Sequence, residues 1–558
     1  MSEEEEDNLR INEDNKDDQG MELLDNINDD GIKKNQFGDI GFAKEKYNQS
    51  INFNQQNLHD KIARNLESND EDDENNDADP EDLIPKQPAE MNKTLDDIFT
   101  AQMFGIKDPN EKIVPFDSRK AGMFERMLHP MQYGSLRGSI FALSSMCLET
   151  GALILAVSCK NLGLIPFLLC VIGGGVLAYW TLTMMIKAAR NMKEREYSKV
   201  VKATLGNKVG VFLDCNITLY LFGALISFQV IIYKIIGSFV YDIQLIRNQT
   251  DNKSFDEFFK DVFENNMLLK SGITFGIILL LFPLCLLKDV SKMRFASLIG
   301  VLALAYSIIV IMIESPFFAY SNKELLSQIN WFDFRDAFKP KTGFAFFSCM
   351  STVFYLYSCH AGAFPVYKTL RNNTTRRIKK VFRRSIILDI VIYFCVAAAS
   401  YLTNPKDPPE LIVFRDPLNN FKNDYFMMLA KIGVIFDLFF STPANYAALR
   451  ISVFELIWGN TNITNVKNFI VTGGFFIVIG TIAIVYSDVL TYIELLGGFC
   501  SVIYCILIPG LIYVKNNKLS WNTVHNLVVL AVVILFTIIG YTSGILTILY
   551  NMVKIGEK

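Results

Sequence analysis

The chain offers little from which a metal centre, a disulfide framework or a covalent active site could be built. Its 558 residues include four His and ten Cys, and the Cys fall in or at the ends of apolar runs without CxxC spacing. Such cysteines read as buried small residues, not as a disulfide scaffold or metal site. No Walker sequence, nucleophile constellation or metal-ligand spacing occurs, which argues against a nucleotide-driven pump or a membrane-embedded hydrolase and implies neither an enzyme nor a cofactor. Nothing points to a nucleic acid. Met1 is followed by acids and not by a basic then apolar stretch, so no secretory signal is expected.

What the chain does have is apolar length. Hydrophobic residues make up 51% and aromatics 13%, although the first hundred residues are strongly polar. Residues 1–111 carry acidic runs at Glu3 to Asp7 and around Asp70 to Glu74 with no sustained apolar period, and are expected to be a disordered acidic tail on the cytoplasmic side, with a protein partner as one possible use. Residues 112–558 are expected to form one membrane domain.

About 20 apolar residues are needed to cross a hydrocarbon core about 30 Å thick, and eleven segments qualify. They run approximately 139–159, 164–186, 209–240, 272–287, 295–313, 343–363, 385–401, 425–444, 469–486, 489–513 and 524–550. Grouped with their connections, spans 1–5 cover about 134–313, spans 6–10 about 341–514 and span 11 about 522–550. In the third span Lys234 is expected to snorkel toward an interface.

Basic residues orient the array, because Lys and Arg in short loops stay on the cytoplasmic side. Seven lie between Lys187 and Lys208 and eight between Lys368 and Arg384, whereas the loop from Tyr241 to Lys270 balances its bases with acids and carries sequons at Asn248 and Asn252. An integral, multi-pass protein with a cytoplasmic N-terminus follows, in the plasma membrane or a vacuolar or lysosomal one.

Two spans are interrupted near their middles. The first holds Glu149-Thr150-Gly151; the second holds Ser358-Cys359-His360-Ala361-Gly362 and is closed by Pro365. Interruptions expose backbone groups that lipid cannot satisfy, so they must face protein or a watered cavity. Paired breaks in corresponding positions of two halves point to the binding site of a secondary transporter. A half-helix starting after Thr150-Gly151 would offer N–H donors to a carboxylate, while carbonyls near Ser145 to Leu148 would hold a cation, an arrangement suited to a zwitterion. A plain kink is the competing reading. Glu149 stands where a carboxylate is costly and usually functional; carrying a proton, neutralising a cationic substrate, anchoring an amino group and bracing the break all remain open. His360 reads either as a donor, proton carrier or shape determinant or as a packed core histidine. Asp389, Asp437 and Glu494 read as paired or interfacial acids.

Five stretches then carry a resemblance: GSLRGSIFALSSMCLETGALILAVSCKNLGL (Gly134 to Leu164), LYLFGALISFQVIIY (Leu219 to Tyr233), FPLCLLKDVSKMRFASLIG (Phe282 to Gly300), YSCHAGAFPVYKTL (Tyr357 to Leu370) and FSTPANYAALRISVFELI (Phe440 to Ile457). In order and spacing they resemble the amino acid/auxin permease family, which includes the sodium-coupled neutral amino acid transporters. The resemblance implies an all-α membrane fold of the leucine-transporter type, a 5+5 inverted-repeat bundle with an eleventh transmembrane helix. It implies an amino acid as substrate, alternating access as mechanism, and a proton or sodium as coupling ion. By the same resemblance the substrate site comprises Glu149, Thr150, Gly151, Phe354, Ser358 and His360, and the ion site Ser145, Leu148 and Ser441. The family's Gly-Ser/Thr-Gly break reads here Glu149-Thr150-Gly151, its helix-1 Asn is Ser145, and its helix-8 Thr is Ser441. A sensor with a transporter fold, signalling through the acidic tail, is the alternative from another class; an ion channel is a third.

Overall fold

The computed structural model describes residues 134–148, 150–247, 254–287, 294–321, 327, 329–331, 345–371, 373–415, 424–458, 464–516 and 524–556. The expected tail at 1–111, the residue Glu149, the sequons at Asn248 and Asn252 and the basic loop between the fourth and fifth spans lie outside the described residues.

Every ordered element is helical, as lipid demands of a chain that must pair its own backbone polar groups. Helix α1 (Leu136–Leu148) is followed by a 3-10 turn (Thr150–Ile154) and α2 (Leu155–Leu162). Next come α3 (Leu164–Asn191), the short α4 (Tyr197–Leu205) and α5 (Asn207–Ile246). The short α6 (Phe255–Phe259), run on by one π-helical turn to Glu264, precedes α7 (Met267–Cys285) and α8 (Arg294–Ser321). The second half contains α9 (Ala345–Leu356), α10 (His360–Thr369), α11 (Thr375–Thr403), α12 (Tyr425–Trp458) and α13 (Asn465–Val485). Helix α14 (Val489–Leu495) passes through two π-helical stretches, Leu496–Ser501 and Ile503–Leu507, into α15 (Ile508–Asn516), and α16 (Val524–Gly556) follows.

Among the described residues nine helices are long and apolar enough to cross a membrane, and the pair α1 with the segment from Gly151 to Leu162, bent by 45°, adds a tenth. Each of the eleven segments expected to span coincides with helix, the sixth being α9 and α10 together. The eighth runs further than expected, through Pro443 to Trp458.

Two groups of helices organise the core. Helix α11 packs along α1, α2 and α3, with α9 against α2 and α3 and α10 against α1. Helix α12 packs along α5, α7 and α8, and α13 lies on α5 and α7. The helix ends are set by local chemistry: Thr374 Oγ1 accepts from the Arg377 N–H at the start of α11, and Asp488 caps α14 by accepting from Thr491 N–H.

Lys234 departs from the expectation of a snorkelling side chain: it is half-buried and paired with Glu410 in the loop after α11. Burial pushes the Glu410 carboxyl up from the usual carboxylate range, and Lys234 opposes that push. A second pair, Lys431 Nζ to Asp242 Oδ2 at 2.5 Å, joins α12 to α5. A long helix that looks apolar by pattern therefore carries its charges against a neighbouring helix and not toward lipid headgroups.

Candidate functional site

The chain breaks twice, and the two breaks sit side by side. The second is narrower than expected: only Tyr357, Ser358 and Cys359 leave the helix, and His360 already opens α10. A Cβ added at Gly151 would lie 2.9 Å from Leu356 Cδ2 and 3.4 Å from Tyr355 Cε1, so the first break rests on the end of α9. A Cβ added at Gly362 would fall 1.9 Å from Met146 Sδ, so the start of α10 lies directly on the end of α1. Only glycine permits these approaches without displacing a neighbour.

Tyrosine hydroxyls occupy the carbonyls that the breaks expose. Tyr393, on α11, donates to Cys147 O at 2.5 Å and shares its proton with Leu356 O at 3.0 Å, bridging the last turns of α1 and α9. Ser358 Oγ lies 2.6 Å from Tyr355 O and 2.8 Å from the Tyr220 hydroxyl of α5. A hydroxyl has one proton to give; Ser358 gives it to Tyr355 O and accepts from Tyr220. Tyr504, in the second π-helical stretch, donates to Ser358 O at 3.0 Å, and its own carbonyl accepts from Tyr197 at 2.5 Å. π-Helical turns recur at functional positions, where they re-aim side chains.

The opposite half of each break is differently served. Cys359, preceding α10, makes no side-chain cap, and the N–H groups of a first helical turn have no acceptor within the helix. At the breaks the exposed carbonyls already hold hydroxyl protons, while the first turn of α10 ends on backbone donors that no side-chain cap of Cys359 takes up. That balance favours an anionic group, and the helix dipole adds to it.

The expected site residues are not all brought together. Thr150 and Gly151 form the 3-10 turn at the first break, and Ser358 lies in the second. Phe354, by contrast, is buried with its ring 6.3 Å from that of Phe536 on α16, and His360 is buried with Nε2 2.8 Å from Thr181 Oγ1 of α3. Both side chains pack into the wall behind the breaks. Ser145 donates to Ala142 O at 2.9 Å, and Ser441 O accepts from Asn445 Nδ2 at 3.1 Å; among the described residues no hydrogen bond joins the two serines. Leu148 closes α1 and is partly buried against the core.

Buried carboxylates complete the surroundings. Asp389, fully buried on α11, accepts from Ser144. Glu494 accepts from Ser348 and, at 2.9 Å, from Thr547 of α16. Asp437 is buried on α12.

Two discontinuous helices placed back to back within a bundle of apolar spans define a multi-span helical membrane protein. Residues 132–554 match the family model described as "Transmembrane amino acid transporter protein". The chain belongs to that family. It is 21% identical over 395 residues to the sodium-coupled neutral amino acid symporter 2 of Danio rerio, covering 68% of this chain and 75% of the relative. It is 23% identical over 402 residues to the sodium-coupled neutral amino acid transporter 7 of the same species, covering 66% and 80%. Among solved structures it is similar to MhsT in complex with L-phenylalanine, with a TM-score of 0.47 and 14% identity over 76% of this chain and 99% of that one.

Proposed function

We infer that the protein is a secondary active transporter that carries amino acids across its membrane by alternating access. The observation that carries this reading is the juxtaposition of the two breaks, held together by one tyrosine hydroxyl. A substrate carboxylate would meet the N–H groups of Thr150 and Gly151 and the first turn of α10. Ser358, fixed by Tyr220, would border the substrate side chain, with Phe354 and His360 shaping the wall from behind. Glu149 would face the amino group or carry a proton.

The helices α1, α2, α3, α9, α10 and α11 would rock as one body against α5, α7, α12 and α13, with α8 packed on both α11 and α12 between them. Coupling to a cation gradient follows from the family; the names of the relatives support sodium, for which Ser145 and Ser441 with the carbonyl of Leu148 would supply oxygen ligands. We place the N-terminus on the cytoplasmic side from the distribution of basic loops, with residues 1–111 as an acidic tail.

The test is flux. Purified protein in proteoliposomes, offered a panel of labelled amino acids, is expected to exchange at least one of them and to accumulate it under a sodium or proton gradient. Saturable binding without exchange would replace the transporter by a sensor, and a substrate-independent conductance would replace it by a channel.

A further inference from the structure

Outside the substrate cradle the most unusual group is Asp389. It is fully buried on α11, one helical turn before Tyr393, and so shares the helix face that holds both breaks. One carboxylate oxygen accepts from Ser144 of α1; Oδ2 makes no well-formed hydrogen bond, and Cys147 and Ser385 are the neutral donors nearest to the carboxylate. Among the described residues no Lys, Arg or His forms an ion pair with it; the titratable groups that face it are the thiol of Cys147 from α1 and the phenols of Tyr357 and Tyr393. All three are neutral donors or acceptors near pH 7. A buried carboxylate without a counter-charge is relieved by neutralisation.

The surroundings also offer hydroxyls. Ser385, one turn earlier on α11, and Ser139, near the start of α1, each bury a hydroxyl oxygen without a hydrogen-bond partner. Ser144 from α1 and Ser385 from α11 flank the carboxylate, and Ser139 lies nearer the start of α1. The two helices begin together there, since Arg371 N–H donates to Gly134 O at 3.0 Å. Ser144 and Ser385 thus bring hydroxyls from both helices to one buried carboxylate.

We propose that Asp389, flanked by Ser144 and Ser385, binds and releases one proton in each transport cycle, a change sensed at the breaks through Tyr393. The proposal rests on the transport reading above. In the step, a hydronium ion on one side gives its proton to Oδ2, forming an O–H bond and leaving water; on the other side that bond breaks and the proton passes to water. No electron changes hands. Neutral Asp389 removes a negative charge from beside the terminal carbonyls of α1 and α9, so the cradle binds the carboxylate of a substrate more tightly when the proton is on. That difference couples the two loads.

The experiment uses full-length protein in proteoliposomes with the labelled amino acid panel and separate proton and sodium gradients. Asp389→Asn is expected to keep gradient-free exchange and to lose proton-driven accumulation down to the level of vesicles without a gradient, while Asp389→Glu keeps it. Ser144→Ala is expected to retain accumulation with a shifted pH of half-maximal uptake. Undiminished proton-driven accumulation by Asp389→Asn overturns the proposal. If that variant does not insert, Ser144→Ala decides: an unchanged pH profile overturns the proposal and a shifted one upholds it. Wild-type vesicles that exchange amino acids but accumulate them only on a sodium gradient overturn the proposal and leave the transport reading standing. Wild-type vesicles that neither bind nor exchange any amino acid remove the transport reading itself.

Discussion

The Tyr393 hydroxyl lies 2.5 Å from the carbonyl oxygen of Cys147, on a helix that begins more than two hundred residues later in the chain. The same hydroxyl reaches Leu356 O, so one side chain holds the last turns of both interrupted helices. Removing it leaves two buried carbonyls without this donor. Hydrogen bonds between membrane helices are worth about 0.6 kcal/mol on average and up to about 1.7, and this one serves two acceptors. Tyr393→Phe is expected to lower the thermal midpoint in detergent modestly and to reduce maximal uptake more than it changes the amino acid concentration at half-maximal rate. A variant that melts and transports like the wild type would remove Tyr393 from its role as a clamp.

The contact between Gly362 and Met146 predicts a rescue. A methyl at 362 meets Met146 Sδ at 1.9 Å, and a thioether is flexible enough to move only if its neighbours allow it. Gly362→Ala is expected to cut uptake severalfold, and Met146→Ala in the same chain to restore part of it. Residues in direct contact show interaction energies of about 0.5–3 kcal/mol in double-mutant cycles. Additive effects of the two substitutions would mean that α10 and α1 do not meet as described.

Much of the architecture is legible without coordinates, because lipid leaves helix as the one way to pair a spanning backbone and so turns apolar length directly into structure. The second break is legible for the same reason: Ser358 and Cys359 before a Gly and a Pro cannot continue a lipid-facing helix. What pattern does not convey is which polar atom meets which. Tyr393, Tyr504 and Tyr220 are three of 22 tyrosines, each in an apolar span where an aromatic is ordinary, and only the fold brings their hydroxyls to distant carbonyls. The signal available for Tyr393 was its spacing of four from Asp389, two polar residues on one face of an apolar helix. The family resemblance assigns Phe354 and His360 to the substrate site, but helical rotation turns one toward Phe536 and the other toward Thr181. Lys234 was assigned to an interface because Glu410, its partner, lies far along the chain in a loop that pattern reading passes over.

The buried pair Lys431 and Asp242 separates net charge from packing. Lys431 is 1% exposed and Asp242 6%, so removing one partner breaks a buried ion pair between α12 and α5. Breaking such a pair costs about 3–5 kcal/mol, whereas replacing both members by apolar residues of similar volume is often neutral. Lys431→Met is therefore expected to depress thermal stability strongly, and Asp242→Leu combined with Lys431→Met to recover most of the loss. If the double variant is no more stable than the single one, the pair does more than neutralise itself.

The direction of the hydrogen bond between Tyr220 and Ser358 makes a last, asymmetric prediction. Ser358 spends its proton on Tyr355 O and accepts from Tyr220, so the two residues are not equivalent even though they share one contact. Tyr220→Phe leaves Ser358 its own donor bond and removes only the restraint from α5. Ser358→Ala removes the bond to Tyr355 O and also the acceptor that Ser358 offers to the partly buried Tyr220 hydroxyl, although Tyr504 still donates to the carbonyl of residue 358. Losing both bonds at about 0.5–1.5 kcal/mol each costs more than losing one. Since 1.4 kcal/mol is a factor of ten, Ser358→Ala is expected to raise the amino acid concentration at half-maximal uptake by about tenfold, and Tyr220→Phe to raise it severalfold less. The double variant, in which no hydroxyl is stranded, is expected to bind better than Ser358→Ala alone. Saturation curves for the three variants decide the matter, and a double variant worse than either single one would reverse the donor and acceptor assigned here.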